Sequence, residues 1–359
     1  MKTRLIQIHE LQQLVERVGL NSFVDFFIDD ITEKICSLDV SQITVPERMG
    51  FAYRRPDLGL VEWMPSMIHG RGAFLKMVCY HPSNPRLRQL PTILSSASVF
   101  DTESGHLVGI MDATFTTALR TGVMSAIATR ILGSPSSSTL GIIGCGAQSV
   151  TQAHAISRVF KLRKIIGFDT DPLASASFGK RLEFLGIEVE TVAHDSVELL
   201  IQNSDILCTC TSNEPGSGAV FSTLKVPDHL HINAVGSDYA GKFEIPVELL
   251  RRATVFPDFR AQAIREGECQ QLTAEEIGPD VLQLIKKSKE FHCLRKKLTV
   301  FDSTGWGLID HLVAMEILEL ASEYRLGTEI QLECVHQDSL NPYAFLDTSL
   351  LTTAMNAQA

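Results

Sequence analysis

Apolar positions recur at helical spacing through residues 9–37: Leu11, Leu14, Val15 and Val18, then Phe23, Phe26, Phe27 and Ile31. This spacing predicts helix, and Gly19 divides it in two. Val45-Pro-Glu-Arg48 and Arg54-Arg-Pro-Asp57 read as a loop. Short strand-like runs follow at 60–64, 74–80, 93–100 and 107–112, with the hairpin turn Asp101-Thr-Glu-Ser-Gly105 between the last two. They predict a largely antiparallel sheet. A helix rich in small residues is expected over 116–132, and Ser134-Pro-Ser-Ser-Ser138 breaks the pattern after it.

The rhythm then changes. Leu140, Ile142 and Ile143 form a short apolar run, Gly144 and Gly146 a turn, and Ala147 opens a helix that keeps an apolar face. Strands at 165–168, 188–192, 206–211, 231–235, 255–257 and 299–301 follow, with helices at 172–184 and 196–201 among them. Such alternation predicts an α/β fold with a Rossmann-type, doubly wound parallel sheet. A helix over 308–325 leaves that sheet, and the tail beyond it is expected to return to the first unit. Two units result: residues 128–311, and an α+β unit built from both termini, 1–127 and 312–359.

Bulk properties narrow the class. A chain of 359 residues exceeds one simple core. A net charge of −10 argues against nucleic-acid or anionic-membrane partners. No apolar run approaches the roughly 18–20 residues of a membrane span, and the start turns polar too soon for a signal peptide. Eight scattered cysteines without a CxxC pair suggest reduced thiols, a cytoplasmic location and no metal site.

Several residues could carry chemistry. A strand, a glycine turn and a helix N-terminus in that order can cradle a pyrophosphate, although Ser149 occupies the third glycine position of G-x-G-x-x-G. Asp169 ends the next strand, 25 positions after Gly144, where a carboxylate accepts ribose hydroxyls and repels a 2′-phosphate; a turn aspartate is the alternative. Lys76 interrupts an apolar strand, so it either snorkels at a sheet edge or points into a cleft. Arg120 is either a solvated helix arginine or a carboxylate clamp. Asp238 follows a predicted strand at its carboxyl end, as a buried general acid/base or as a turn residue.

Together these segments resemble the ornithine cyclodeaminase/mu-crystallin family, most of all its bacterial ornithine cyclodeaminases. The likeness spans nearly the whole chain. It is carried by Lys76 with His81-Pro-Ser-Asn84, Thr117-Ala-Leu-Arg-Thr121, Ile143-Gly-Cys-Gly-Ala-Gln-Ser149 and Phe168-Asp-Thr-Asp-Pro-Leu173. Further on it is carried by His231-Ile-Asn-Ala-Val-Gly-Ser-Asp238 with Gly241-Lys242, Glu266-Gly-Glu-Cys-Gln-Gln271 and Phe301-Asp-Ser-Thr-Gly305. One departure is Ser237, where those enzymes typically carry glycine before the aspartate. It could shift the acid or touch the substrate.

The resemblance implies a homodimer whose terminal segments form the substrate-binding and dimerisation domain, with 128–311 binding NAD. Lys76 and Arg120 would hold an amino-acid carboxylate, joined by Arg48, with Arg54 or Arg55 as substitutes. Asp238 would be the catalytic acid/base and Glu62 an acidic partner for a distal amine. Thr92, Arg120, Gly144, Gly146, Ala147, Gln148, Asp169, Thr211, Val235, Gly236, Ser237, Lys242 and Ser303 would line the cofactor, with Thr304 near the substrate. The implied reaction converts L-ornithine to L-proline and ammonia by oxidation at Cα, attack of the distal amine, loss of ammonia and re-reduction by the same cofactor. The alternatives are a ketimine reductase, an alanine-type dehydrogenase, an amino-acid-condensing synthase, and a mu-crystallin-like binding protein without turnover. Glu62 favours a diamine, and Asp169 disfavours NADP.

Overall fold

The computed structural model describes residues 1–333 and 338–346. Its first sheet takes β1 (Thr3–Ile6), β2 (Ile43–Thr44), β3 (Met49–Tyr53), β4 (Gly59–Ile68), β5 (Gly72–Tyr80), β6 (Ile93–Phe100) and β7 (Leu107–Asp112). Its second takes β8 (Thr139–Ile143), β9 (Lys164–Phe168), β10 (Glu188–Thr191), β11 (Ile206–Thr209), β12 (His231–Ala234), β13 (Thr254–Pro257) and β14 (Thr299–Asp302). A last strand, β15 (Thr328–Ile330), goes back to the first sheet.

The first sheet runs β15-β1-β7-β6-β5-β4-β2, with β3 also paired to β4. It is antiparallel throughout except where β1 lies parallel to β7. The hairpin between β6 and β7 forms as expected: Asp101 accepts the amides of Glu103 and Ser104, and Gly105 takes φ +78°. Two expectations are corrected. Residues 49–53, read as loop, form β3, and the chain start, read only as polar, supplies β1. β1 is defined by its pairing with the distant β7 and β15, while the five-residue β3 is set by its hairpin pairing with β4 and is too short for its periodicity to stand out.

The second sheet is fully parallel in the order β10-β9-β8-β11-β12-β14-β13. Strand order reverses between β8 and β11, so the glycine turn after β8 opens at the topological switch point. Helices Ile8–Val18 and Leu20–Ser37 meet at Gly19, as the pattern predicted. Three helices join the sheets through one core: Phe23, Phe27 and Ile31 of Leu20–Ser37, Val123 and Ile127 of Thr114–Leu132, and Leu308, Leu312 and Ile317 of Gly307–Glu323. The tail does return to the first sheet at β15, which pairs antiparallel with β1. The unit boundaries expected at 127/128 and 311/312 fall inside the continuous helices Thr114–Leu132 and Gly307–Glu323. Residues 334–337 and 347–359, assigned to the terminal unit, lie outside the described residues.

Candidate active site

The glycine turn is built for close approach. Gly144 takes φ +98°, and a Cβ there would stand 2.7 Å from the carbonyl oxygen of Cys210, so only glycine fits. Gly146 N-caps the helix Ala147–Val159, which no side chain caps, and a Cβ on Gly146 would meet nothing within 4 Å. Uncapped first-turn amides facing open space at a switch point suit a pyrophosphate. Asp169 stands beside them: its carboxylate accepts the Cys145 amide at 2.6 Å and the Asp171 amide at 2.8 Å. Each of its oxygens thus holds one turn amide, and the carboxylate sets a negative charge next to the turn. Cys145 is a buried filler whose thiol is pushed up to about 12 by burial and by Asp169.

The neighbouring strand ends are held by buried acids that the sequence did not single out. Glu244 accepts the Thr211 amide and hydroxyl, both at 2.7 Å, and the Gly236 amide at 2.9 Å. Glu268 accepts the amides of Glu244 and Ile245. Asp302 accepts those of Glu268 and Cys269 at 2.9 and 2.8 Å, and burial pushes its carboxyl up to about 7. Asp258 accepts the Gly305 amide and the Thr304 hydroxyl. Thr304 also accepts from Gln262, so its hydroxyl is engaged within the protein. The Ser303 and Val235 amides are tied to the Ala234 and Thr209 carbonyls, fixing both at the carboxyl edge of the sheet.

Lys76 lies on β5 between β4 and β6, opposite Met64 and Ala97. That excludes the sheet-edge reading. It is only 1% exposed, and its ammonium sits 2.8 Å from Oδ1 of Asp310. Arg120 is also buried, and its Nε donates to the same oxygen at 3.1 Å. Burial and the nearby arginines lower the Lys76 ammonium to about 8, with Asp310 opposing the shift. Gly305, at φ +89°, packs against the guanidinium: a Cβ there would stand 2.9 Å from an Arg120 nitrogen. The rest of the Arg120 fork has no protein partner among the described hydrogen bonds.

A second group adjoins the first. On the same face of β4 as Met64, Glu62 is a diagonal neighbour of Lys76, since Glu62 pairs with Val78 and Met64 with Lys76. Arg48 lies 3.7 Å from Glu62, its Nε donates to Glu266 at 2.6 Å, and it also donates to the Asp238 carbonyl. Burial raises the Glu62 carboxyl, and Glu266 and Asp238 add to this against the pull of Arg48. Burial disfavours the Arg48 charge, yet Glu62, Glu266 and Asp238 more than restore it. Arg54 and Arg55, the suggested substitutes, are exposed and outside this cluster.

Asp238 departs from the expectation of a buried acid. Its side chain is 42% exposed and pairs with Lys242 at 2.9 Å. Burial lowers the Lys242 ammonium and Asp238 lifts it, with a net rise. Ser237, offered as a substrate contact, is fully buried and donates to the Lys242 and Glu266 carbonyls. It closes the 237–242 loop instead. Gln148 donates toward the Ala118 carbonyl, and the Thr92 carbonyl receives the His81 amide. His81 is hydrogen-bonded in its turn, its Nε2 2.6 Å from the Tyr53 hydroxyl. Asp310 and Glu266 are two further acids to which sequence reasoning gave no role. For Asp310 the signal was a charge inside the apolar run Leu308-Ile-Asp-His-Leu-Val313.

A fully parallel dinucleotide-type sheet beside a buried cluster of cations and acids defines the class of Rossmann-type dinucleotide enzymes. Within it, the chain belongs to the ornithine cyclodeaminase/mu-crystallin family, whose sequence profile matches residues 9–324. It is 36% identical to an L-lysine cyclodeaminase of Streptomyces rapamycinicus over 96% of this chain and all of that protein. It is 28% identical to an ornithine cyclodeaminase of Agrobacterium tumefaciens over 91% of this chain and 89% of that one. A solved lysine cyclodeaminase, described for its recognition of L-lysine, L-ornithine and L-2,4-diaminobutyric acid, superposes with a TM-score of 0.92 at 39% identity, covering 96% of this chain and all of that one. An archaeal alanine dehydrogenase dimer with bound NAD superposes at 0.81 and 29% identity, covering 93% and 100%.

Proposed function

We propose that this chain is an NAD-dependent cyclodeaminase of L-α,ω-diamino acids, with L-lysine as its substrate. The observation that carries the reading is the pair of adjoining buried groups, Lys76 with Arg120 and Arg48 with Glu62 and Glu266. A molecule with a carboxylate at one end and an amine at the other matches cations beside acids in one buried cluster. The ornithine assignment drawn from the sequence gives way to lysine, because the likeness is greater to the lysine enzyme, 36% against 28%. L-Ornithine is the second reading, since the solved lysine cyclodeaminase is described as recognising both.

NAD is the cofactor, and when bound it supplies reversible hydride transfer at the substrate Cα. Gly144, Gly146, Ala147, Gln148 and Asp169 hold it at the end of β8. Thr92, Arg120, Thr211, Val235, Gly236, Lys242 and Ser303 line the remainder of its site, while Ser237 shapes the loop. Lys76, Arg120 and Arg48 fix the substrate carboxylate, and Thr304 shapes the pocket through its own bonds. Glu62 draws in the distal ammonium. Asp238, at the rim and paired with Lys242, accepts the proton that frees the distal amine for ring closure and returns it to the departing ammonia. Attack of one end of a clamped chain on the other is intramolecular, a class of step with effective molarities up to about 10⁵–10⁸ M.

In the same reading, residues 128–311 serve the cofactor while 1–127 and the described part of 312–359 serve the substrate and a homodimer. Met49 and Phe51, on one side of β3, are exposed apolar residues that suit such an interface. Among the described residues no helix is long and apolar enough to cross a membrane, and all described cysteines are free, which supports a cytoplasmic enzyme.

Incubation of purified protein with L-lysine or L-ornithine and a catalytic amount of NAD⁺ tests the proposal. Ammonia and a cyclic amino acid should form without net NADH, at a higher kcat/KM for lysine. Stoichiometric NADH with an open-chain oxo acid, or no turnover, would overturn it. Asp238→Asn should abolish most turnover while leaving NAD affinity within about twofold.

A further inference from the structure

Two cations that are to bind one carboxylate already share another, on the helix Gly307–Glu323. We infer that Asp310 is the positioning residue of the substrate site: it aligns Lys76 and Arg120 and leaves the pair with one net positive charge for one incoming carboxylate. The inference rests on the proposed reading that these two cations clamp the substrate.

The geometry divides the donors cleanly. Oδ1 of Asp310 receives Lys76 Nζ at 2.8 Å and Arg120 Nε at 3.1 Å. Nε is the inner nitrogen of the guanidinium, so binding there leaves the two outer nitrogens as a fork, the part that pairs bidentately with a carboxylate. Gly305 lets that fork lie flat against the backbone, and Asp258 holds the Gly305 amide at 2.7 Å. Lys76, with one donor directed at Asp310, keeps the others for the ligand. Oδ2 of Asp310 is buried and has no hydrogen-bond partner among the described residues. Two buried cations this close would repel each other without an acid between them, and the acid keeps Lys76 charged against burial. No other carboxylate touches Lys76 or Arg120 among the described ion pairs.

The test is calorimetric binding of tetrahydropyran-2-carboxylate to NAD-saturated protein from about pH 6 to about pH 10. This probe is the expected product ring with oxygen for nitrogen, and its carboxylate, near the usual carboxylate pKa of ~4, does not titrate in this range. Wild-type affinity should fall as pH rises through about 8, where Lys76 loses its proton. In Asp310→Asn the fall should move about 1–3 pH units lower, the range by which a neighbouring charge shifts a pKa. Binding at about pH 6 should also be roughly tenfold weaker, a loss within the range for a charge-assisted hydrogen bond. Asp310→Glu should keep the wild-type midpoint while binding more weakly, because the charge remains but the alignment is lost. An unchanged midpoint in Asp310→Asn, equal or tighter binding by it at every pH, or a displaced midpoint in Asp310→Glu would each overturn the inference. Turnover is not needed for this readout. A wild type that binds the probe but does not cyclise lysine therefore sinks the proposed reaction and leaves the role of Asp310 to be decided separately.

Discussion

Single side chains carry the chemistry, and their predicted effects differ in kind. Arg120→Lys keeps the charge but loses the fork, so KM for the diamino acid should rise roughly 10–100-fold, the equivalent of about 1.5–3 kcal/mol for a hydrogen bond between charged groups. Steady-state kinetics check this, and an unchanged KM would remove Arg120 from the clamp. Lys76 gives a pH signature, because its ammonium is lowered to about 8. The protonated form binds the carboxylate, so kcat/KM should contain a limb that falls above about pH 8 and is absent from Lys76→Met. The sequence announced Lys76 and Arg120 as chemically odd residues but could not choose between solvent and cleft. The central position of β5, opposite Met64 and Ala97, removes the sheet-edge alternative for Lys76 and leaves it buried against Asp310. Asp238 shows the opposite failure. Its place after β12 was read correctly, but its partial exposure follows from how the 237–242 loop turns outward, which no local pattern encodes. Asp310 escaped notice because its partners lie 234 and 190 residues away, the separations 310 − 76 and 310 − 120.

Secondary-structure elements place those side chains, and two substitutions probe the joints between them. Gly144→Ala adds a Cβ 2.7 Å from the Cys210 carbonyl at a positive φ. It should cost about 1–3 kcal/mol, the range for a residue forced into such a conformation, and weaken NAD binding with it. Urea unfolding and fluorescence titration with NADH measure the two effects. In Asp302→Asn an amide NH₂ would face a backbone N–H, either that of Glu268 or that of Cys269. A loss of about 1–3 kcal/mol is expected, the penalty of leaving one buried polar group unsatisfied. The sign with pH follows from the raised carboxyl. The folded protein binds a proton there between the ordinary carboxylate pKa of about 3.9 and about 7, so the contribution of Asp302 to stability falls as pH rises through that window. Replacing it should flatten that slope. The alternating strands and helices of the parallel sheet were readable because each strand is buried on both sides and punctuated by its helix. The short strands β1, β2, β3 and β15 were not: β1 pairs with β7 and β15 far along the chain, and β2 and β3 span only 2 and 5 residues.

Across the whole molecule, three helices join the two sheets through one core. A homodimer should have about twice the 39.6 kDa chain mass in light scattering. Phe51→Asp places a charge on an apolar side chain that is 66% exposed. It should shift the mass toward the monomer, and an unchanged dimer would remove this face of β3 from the interface. The central claim is that NAD⁺ is reduced and regenerated within one turnover, with the chain holding the substrate throughout. Mass spectrometry of the cyclic product made from L-lysine deuterated at Cα tests this most directly. The account predicts that the product, L-pipecolate, retains the deuterium at its own Cα, because the hydride removed there is returned there. Product without deuterium at that carbon, or deuterium accumulating in free NADH, would contradict it.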